Sequence, residues 1–235
     1  MSKRLGGRFV WLMVLAAAFW AFGSMSALAQ SGDVDSVLAQ MDKASASFRN
    51  AQANVSWDQY VKVVDDHELQ SGTVYFDRKG GATQMAAHID KPDPKVVVYK
   101  NGELDFYQPK IDQENIFTAG ANRSQYEGFL TLGFGGSGSD LKANWDVTYQ
   151  GKESIDGADT VKLDLKPKQQ SVQNNFTHVI IWVDPSRAIS LKQQFFAPSG
   201  DLKTVTYSNI KYNAGKLPGD AFTIHTTSKT QVVRK

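Results

Sequence analysis

The sequence predicts a mainly β fold of the α+β kind. It should be a single, strongly curved antiparallel sheet of about 10–11 strands, with an N-terminal helix and a central helix on one face. Three observations carry this. Period-two alternation of apolar and polar residues dominates from residue 51 onward. Turn dipeptides such as Asn101-Gly102 and Asp156-Gly157 punctuate it at short intervals. Only two stretches depart from that period toward helical spacing. About ten strands is also where a twisted open sheet must curl, close or split.

The N-terminus comes first. Lys3, Arg4 and Arg8 precede an apolar run from Phe9 to Phe22, and Ala27-Leu28-Ala29 forms a small-x-small site before Gln30. This is the pattern of a secretory signal peptide, and the run is short of the roughly 20 residues a spanning helix needs. The expected organisation is a cleaved segment 1–29 and one domain over 30–235. Cleavage removes three cations and takes the formal charge from +2 to about −1. No basic surface then argues for nucleic acid. The chain has no cysteine, which excludes a disulfide scaffold and a thiol nucleophile and suits export to a bacterial periplasm.

Asp33 to Phe48 reads as a helix, since Val34, Val37, Leu38, Met41, Ala44 and Phe48 recur at helical spacing. Strands follow around Val55–Val63, Leu69–Arg78, Thr83–Asp90, Lys95–Lys100 and Glu103–Gln108. Asn122 to Phe134 returns to helical spacing and leads into GFGGSGS, Gly133 to Ser139, which reads as a flexible loop. Strands resume at Trp145–Gly151, Thr160–Lys166, Thr177–Val183, Ser190–Phe196 and Leu202–Lys211, with a last one expected within Leu217–Thr226. THVIIWV, Thr177 to Val183, is apolar on both faces, so it is either covered on both sides or lines a cavity.

Motifs for catalysis are weak. Gly133, Gly135 and Gly138 match G-x-G-x-x-G, but a helix precedes them and the surrounding strands are antiparallel, so the dinucleotide context fails. Asp65-Asp66-His67-Glu68 lacks metal-ligand spacing and reads as a solvated turn. No nucleophile motif appears, so the expectation is a protein that is not an enzyme, with no catalytic residue, no metal and no cofactor. In GTVYFDR, Gly72 to Arg78, the strand period puts Arg78 in phase with Val74 and Phe76. Such an arginine either snorkels to water or needs carbonyl or carboxylate acceptors.

GTVYFDR, Lys91-Pro92 and VVVYKNGELDFYQP (Val96 to Pro109) together resemble the periplasmic lipoprotein carrier family, LolA. QYEGFLTLGF, Gln125 to Phe134, resembles its lid helix. TYSNIKYNAGKLPGDAFTI, Thr206 to Ile224, resembles its closing N-x-x-x-x-P-x-x-x-F pattern through Asn213, Pro218 and Phe222. The likeness spans nearly all of the mature chain. It implies a half-open β-barrel whose concave apolar face is covered by the N-terminal helix and a central lid helix. It implies, too, a monomeric periplasmic carrier that takes acylated lipoproteins as cargo from an inner-membrane ABC-type exporter and passes them to an outer-membrane lipoprotein acceptor. It also implies that Arg78 latches the lid in the empty state, through groups near Tyr126 to Leu132. Lys79-Gly80-Gly81 where the family often has Pro, Asp105 where it often has Trp, and Thr83 and Met85 where it often has aromatics bear on the cargo. The expected cavity lining is Val74, Phe76, Met85, Val96, Val98, Ile180, Trp182 and Phe195, with Tyr126, Phe129, Leu130 and Leu132 from the lid. The alternative is a half-barrel that senses lipid or lipoprotein without shuttling it.

Overall fold

The computed structural model describes residues 25–118, 120, 129 and 132–235. Twelve strands form one open sheet. In chain order they are β1 (Asn50–Val61), β2 (Asp66–Lys79), β3 (Ala82–Lys91), β4 (Lys95–Lys100), β5 (Glu103–Gln108), β6 (Gln113–Thr118), β7 (Trp145–Ile155), β8 (Ala158–Pro167), β9 (His178–Asp184), β10 (Ile189–Phe196), β11 (Leu202–Tyr212) and β12 (Gln231–Arg234). The spatial order is β12-β6-β5-β4-β3-β2-β1-β11-β10-β9-β8-β7, so the two halves of the chain meet where β1 pairs with β11. Among the described residues there are also three α-helices, α1 (Met25–Ser47), α2 (Gly138–Asn144) and α3 (Gln170–Gln173), and a 3-10 turn at Pro109–Ile111.

Two details differ from the sequence reading. Gln113–Thr118 is a strand, and the segment 217–226 is not; the last strand is β12, which pairs parallel to β6. The sheet is therefore mixed at one edge. β6 escaped because QENIFT is too short to show alternation. The turns behave as their residues demand. Asn101-Gly102 and Asp156-Gly157 both take positive φ at both positions, the requirement of a two-residue hairpin.

Helix α1 lays Val37, Leu38, Met41 and Ala44 against Leu163, Leu165, Val179 and Ile181, together with Leu132, Leu141 and Trp145. Each large apolar side chain buried there contributes about 1.5–3 kcal/mol. The helix ends on long-range caps. Asn213 Nδ2 donates to the Ser47 carbonyl at 2.9 Å, and Asn213 Oδ1 accepts from the Arg49 amide at 2.8 Å. The predicted cleavage point after Ala29 falls within α1, and residues 1–24 of the expected signal segment lie outside the described residues. Among the described residues no helix is long and apolar enough to cross a membrane.

Cross-strand partners share a face, so register divides the side chains into two sets. One face carries Val74 and Phe76 on β2, Met85 and Ala87 on β3, Val97 on β4 and Phe106 on β5. Through β1 it continues to Val205 and Tyr207 on β11, Gln193 and Phe195 on β10, Val179 and Ile181 on β9, and Leu163 and Leu165 on β8. The β8–β9 part of this face is covered by α1, and its middle is filled by Phe134, which is fully buried, stacks on Phe76 at 4.3 Å and meets Tyr207 edge-on at 5.0 Å. The rest is left hollow.

Candidate functional site: an apolar cavity and an arginine clasp

The hollow is a cavity of about 420 Å³. Val55, Val74, Phe76, Met85, Val97 and Phe106 line one side, and Phe195, Val205 and Tyr207 the other, with Phe129 and Phe176 beside them. Val74, Phe76, Met85 and Phe195 are thus placed where the strand period puts them. Phe129 is helical and also reaches the cavity, whereas Leu132 packs into the core under α1. Tyr126 and Leu130 lie outside the described residues.

Four expected lining residues fall elsewhere. Val96 and Val98 pair with His88 and Ala86, on the face opposite Met85 and Ala87. There His88 Nε2 donates to the Ala221 carbonyl at 2.9 Å, and the C-terminal tail supplies the cover. Val97 takes the cavity position instead. Likewise Val179, Ile181 and Val183 face inward, and Ile180 and Trp182 face outward. Trp182 is sandwiched between Lys162 and Lys192 at 4.9 and 4.6 Å, and its indole N–H donates to Glu153 at 2.7 Å. Both errors arise in runs, VVV and VIIWV, that lack alternation and so carry no phase.

Arg78 is half-buried, with its guanidinium carbon 5.2 Å from the centre of the Phe48 ring. Nη1 donates to the Ser45 carbonyl at 2.6 Å, and Nη2 donates to the Gly135 carbonyl. The Ser45 hydroxyl donates to the same Gly135 carbonyl at 2.6 Å. One guanidinium therefore joins the end of α1, the sheet and the segment that follows residue 131. Desolvation by burial lowers the arginine's pKa, and Asp140 and Tyr212 act against that. Among the described residues its partners are Ser45 and Gly135, and residues 126–128, 130 and 131 lie outside the described residues.

The glycine-rich segment is not the flexible loop its composition suggests. The Gly135 amide donates to Ala188 at 2.8 Å, and the Ser190 amide donates to Gly133 at 2.7 Å. The Ser190 hydroxyl donates to the Leu132 carbonyl at 2.8 Å. Gly135 has φ +72°, and a Cβ there would run into the Phe48 ring; a Cβ on Gly138 would strike the Leu38 carbonyl. These glycines permit close approach, and the segment docks Phe134 into the core.

The polar residues of the cavity are ones sequence reasoning missed. Lys203 Nζ sits 4.4 Å from the centre of the Trp57 ring, and Tyr207 donates to Gln193 at 3.3 Å. Burial pushes the Tyr207 phenol well above its ordinary range and lowers the Lys203 ammonium. A lysine in phase with Val205 and Tyr207 on β11 was the available signal. The turn cluster is occupied locally, with His67 paired to Asp58 at 2.9 Å and Asp65 accepting from Tyr60 at 2.9 Å.

Solved structures share this architecture. An uncharacterized conserved protein from Thermus thermophilus matches with TM-score 0.55 at 14% identity, over 86% of this chain and 99% of that one. MucB in the Pseudomonas aeruginosa MucA/MucB complex matches with TM-score 0.52 at 14% identity, over 82% of this chain and 61% of that one. A LolA superfamily protein from Nitrosomonas europaea matches with TM-score 0.40 at 18% identity, over 81% of this chain and 97% of that one. No curated protein sequence matches the chain. A family model described as "-like: Uncharacterized protein" matches residues 106–232, more than half of the chain. The chain belongs to that family.

Proposed function

We propose that the protein is a periplasmic carrier that shields the acyl chains of lipoproteins, or of a related lipid, and moves them from the inner to the outer membrane. In this reading the signal peptide is cleaved after Ala29, an inner-membrane ABC-type exporter loads the cavity, and an outer-membrane lipoprotein acceptor empties it. The observation that carries the reading is the apolar hollow of about 420 Å³ left on an otherwise covered sheet face. That volume lies in the lower part of the range for small-molecule sites, about 300–1,000 Å³. It is sized for one chain, and a multiply acylated anchor must widen it. Widening supplies a useful brake. A chain of about 15 methylenes gains roughly 12 kcal/mol at about 0.8 each on leaving water. A carrier that held cargo that tightly would not release it, and a closed state clasped by Arg78 competes with cargo and lowers the net affinity.

The likeness to MucB supports a second reading. That protein is solved in complex with MucA, and the second reading is a half-barrel that senses lipid or lipoprotein without shuttling it. Native mass spectrometry of protein purified from its own periplasm, followed by a two-step transfer assay, separates the two. A carrier shows an acylated adduct, releases labelled lipoprotein from inner-membrane vesicles and delivers it to acceptor-containing membranes. Binding without delivery favours the sensor, and neither adduct nor release overturns the carrier.

A further inference from the structure

The cavity is mostly apolar, and several of its polar lining residues stand close together. Trp57 on β1, Val205 on β11 and Gln193 on β10 share one rung of three neighbouring strands, and Lys203 lies one rung along on the same face. All four line the cavity. Gln193 is 3% exposed and its Nε2 has no hydrogen-bond partner among the described residues; the buried Nε1 of Trp57 has none either. Lys203 Nζ lies against the Trp57 ring, and desolvation by burial lowers its pKa. A second cation, Lys95, also lines the cavity. The carboxylate of Glu68, which shares the rung of Gln59 and Lys203, is exposed and accepts from Gln70 Nε2 at 2.5 Å.

Three donors with no acceptor, one of them charged, stand on adjacent rungs in an apolar hollow. Hydrocarbon alone leaves all three unmet, while an anionic oxygen pair meets them with charge-assisted hydrogen bonds. We propose that the cavity takes a single-chain amphiphile with a carboxylate head, a long-chain fatty acid anion, with Lys203, Trp57 and Gln193 as the head site and Val74, Phe76 and Met85 along the tail. This rests on the reading of the cavity as an acyl-chain site and adds the head group that the cavity selects.

The test is displacement of the neutral apolar dye 1-N-phenylnaphthylamine from the mature protein near neutral pH, below micelle-forming concentrations. Palmitate should displace the dye at about tenfold lower concentration than 1-hexadecanol, which has the same chain and no charge. Lys203→Met should abolish that difference and leave hexadecanol unchanged. Trp57→Phe, which keeps a ring beneath the ammonium, should weaken palmitate only. Equal displacement by palmitate and hexadecanol in the parent, or an undiminished palmitate preference in Lys203→Met, overturns the head site while the acyl-chain reading stands. Displacement by neither chain overturns both. A palmitoyl lysophospholipid that outcompetes palmitate overturns the carboxylate in favour of a phosphate head. Circular dichroism of each variant confirms the fold, and the Trp57→Phe result stands on its own should Lys203→Met fail to fold.

Discussion

At the scale of single residues, Arg78 shows what a strand period can and cannot convey. Its phase with Val74 and Phe76 is legible because alternation is strict in GTVYFDR. Its acceptors are not, because Ser45 and Gly135 lie 33 and 57 residues away and are brought to it only by the closed sheet face. Arg78→Leu removes every donor but orphans neither carbonyl. Gly135 still accepts from the Ser45 hydroxyl, and Ser45 still accepts from the Phe48 amide at 3.1 Å. The loss is therefore that of charge-assisted bonds at a half-exposed site, about 1–3 kcal/mol in all. Thermal denaturation should show a melting temperature lower by several degrees with cooperativity intact. If Arg78 is the latch, the same variant should bind an acyl probe more tightly and hand it on more slowly. A variant with parental melting and parental probe binding would mean that the guanidinium clasps nothing.

At the scale of elements, legibility follows how strongly a pattern excludes its alternatives. Turn residues needing positive φ place the hairpins at Asn101-Gly102 and Asp156-Gly157, and helical spacing places α1. The glycine-rich segment misleads because glycine serves two ends, freedom in solvent and close approach in a core, and composition does not separate them. β9 misleads for a different reason. Both phases of VIIWV are apolar, and only the pairing Gln193↔Ile181 and Leu163↔Ile181 fixes which set faces α1. That phase is open to measurement. Ile181 is fully buried between α1 and the sheet, so Ile181→Ala should cost about 2–5 kcal/mol in urea unfolding. Ile180 is partly exposed on the other face, and Ile180→Ala should cost about 1 kcal/mol or less. The reverse order would restore the phase expected from sequence.

At the scale of the whole molecule, one apolar sheet face is divided between structure and cavity. The β8–β9 side spends its surface on α1, the middle is plugged by Phe134, and the side from β1 to β5 with β10 and β11 remains hollow. The boundary is an aromatic chain. Phe129 meets Trp145 edge-on and Phe176 at a tilt, each at 5.7 Å, and Phe176 meets Phe195 at 5.4 Å. Phe129 thus contacts both the covered core and the cavity, and it is the described residue best placed to couple one to the other. Each aromatic pair contributes about 0.5–1.5 kcal/mol beyond the area it buries. Phe129→Ala removes two of them, and because Phe129 is only partly buried, the core beneath it keeps its packing. The fold should therefore survive while the contacts that close the cavity weaken. Stopped-flow mixing with the apolar dye should show faster association than in the parent, with the far-ultraviolet spectrum unchanged. A global loss of stability comparable to that of Ile181→Ala would place Phe129 among the core residues. Unchanged association would mean that entry to the cavity is controlled elsewhere on its rim.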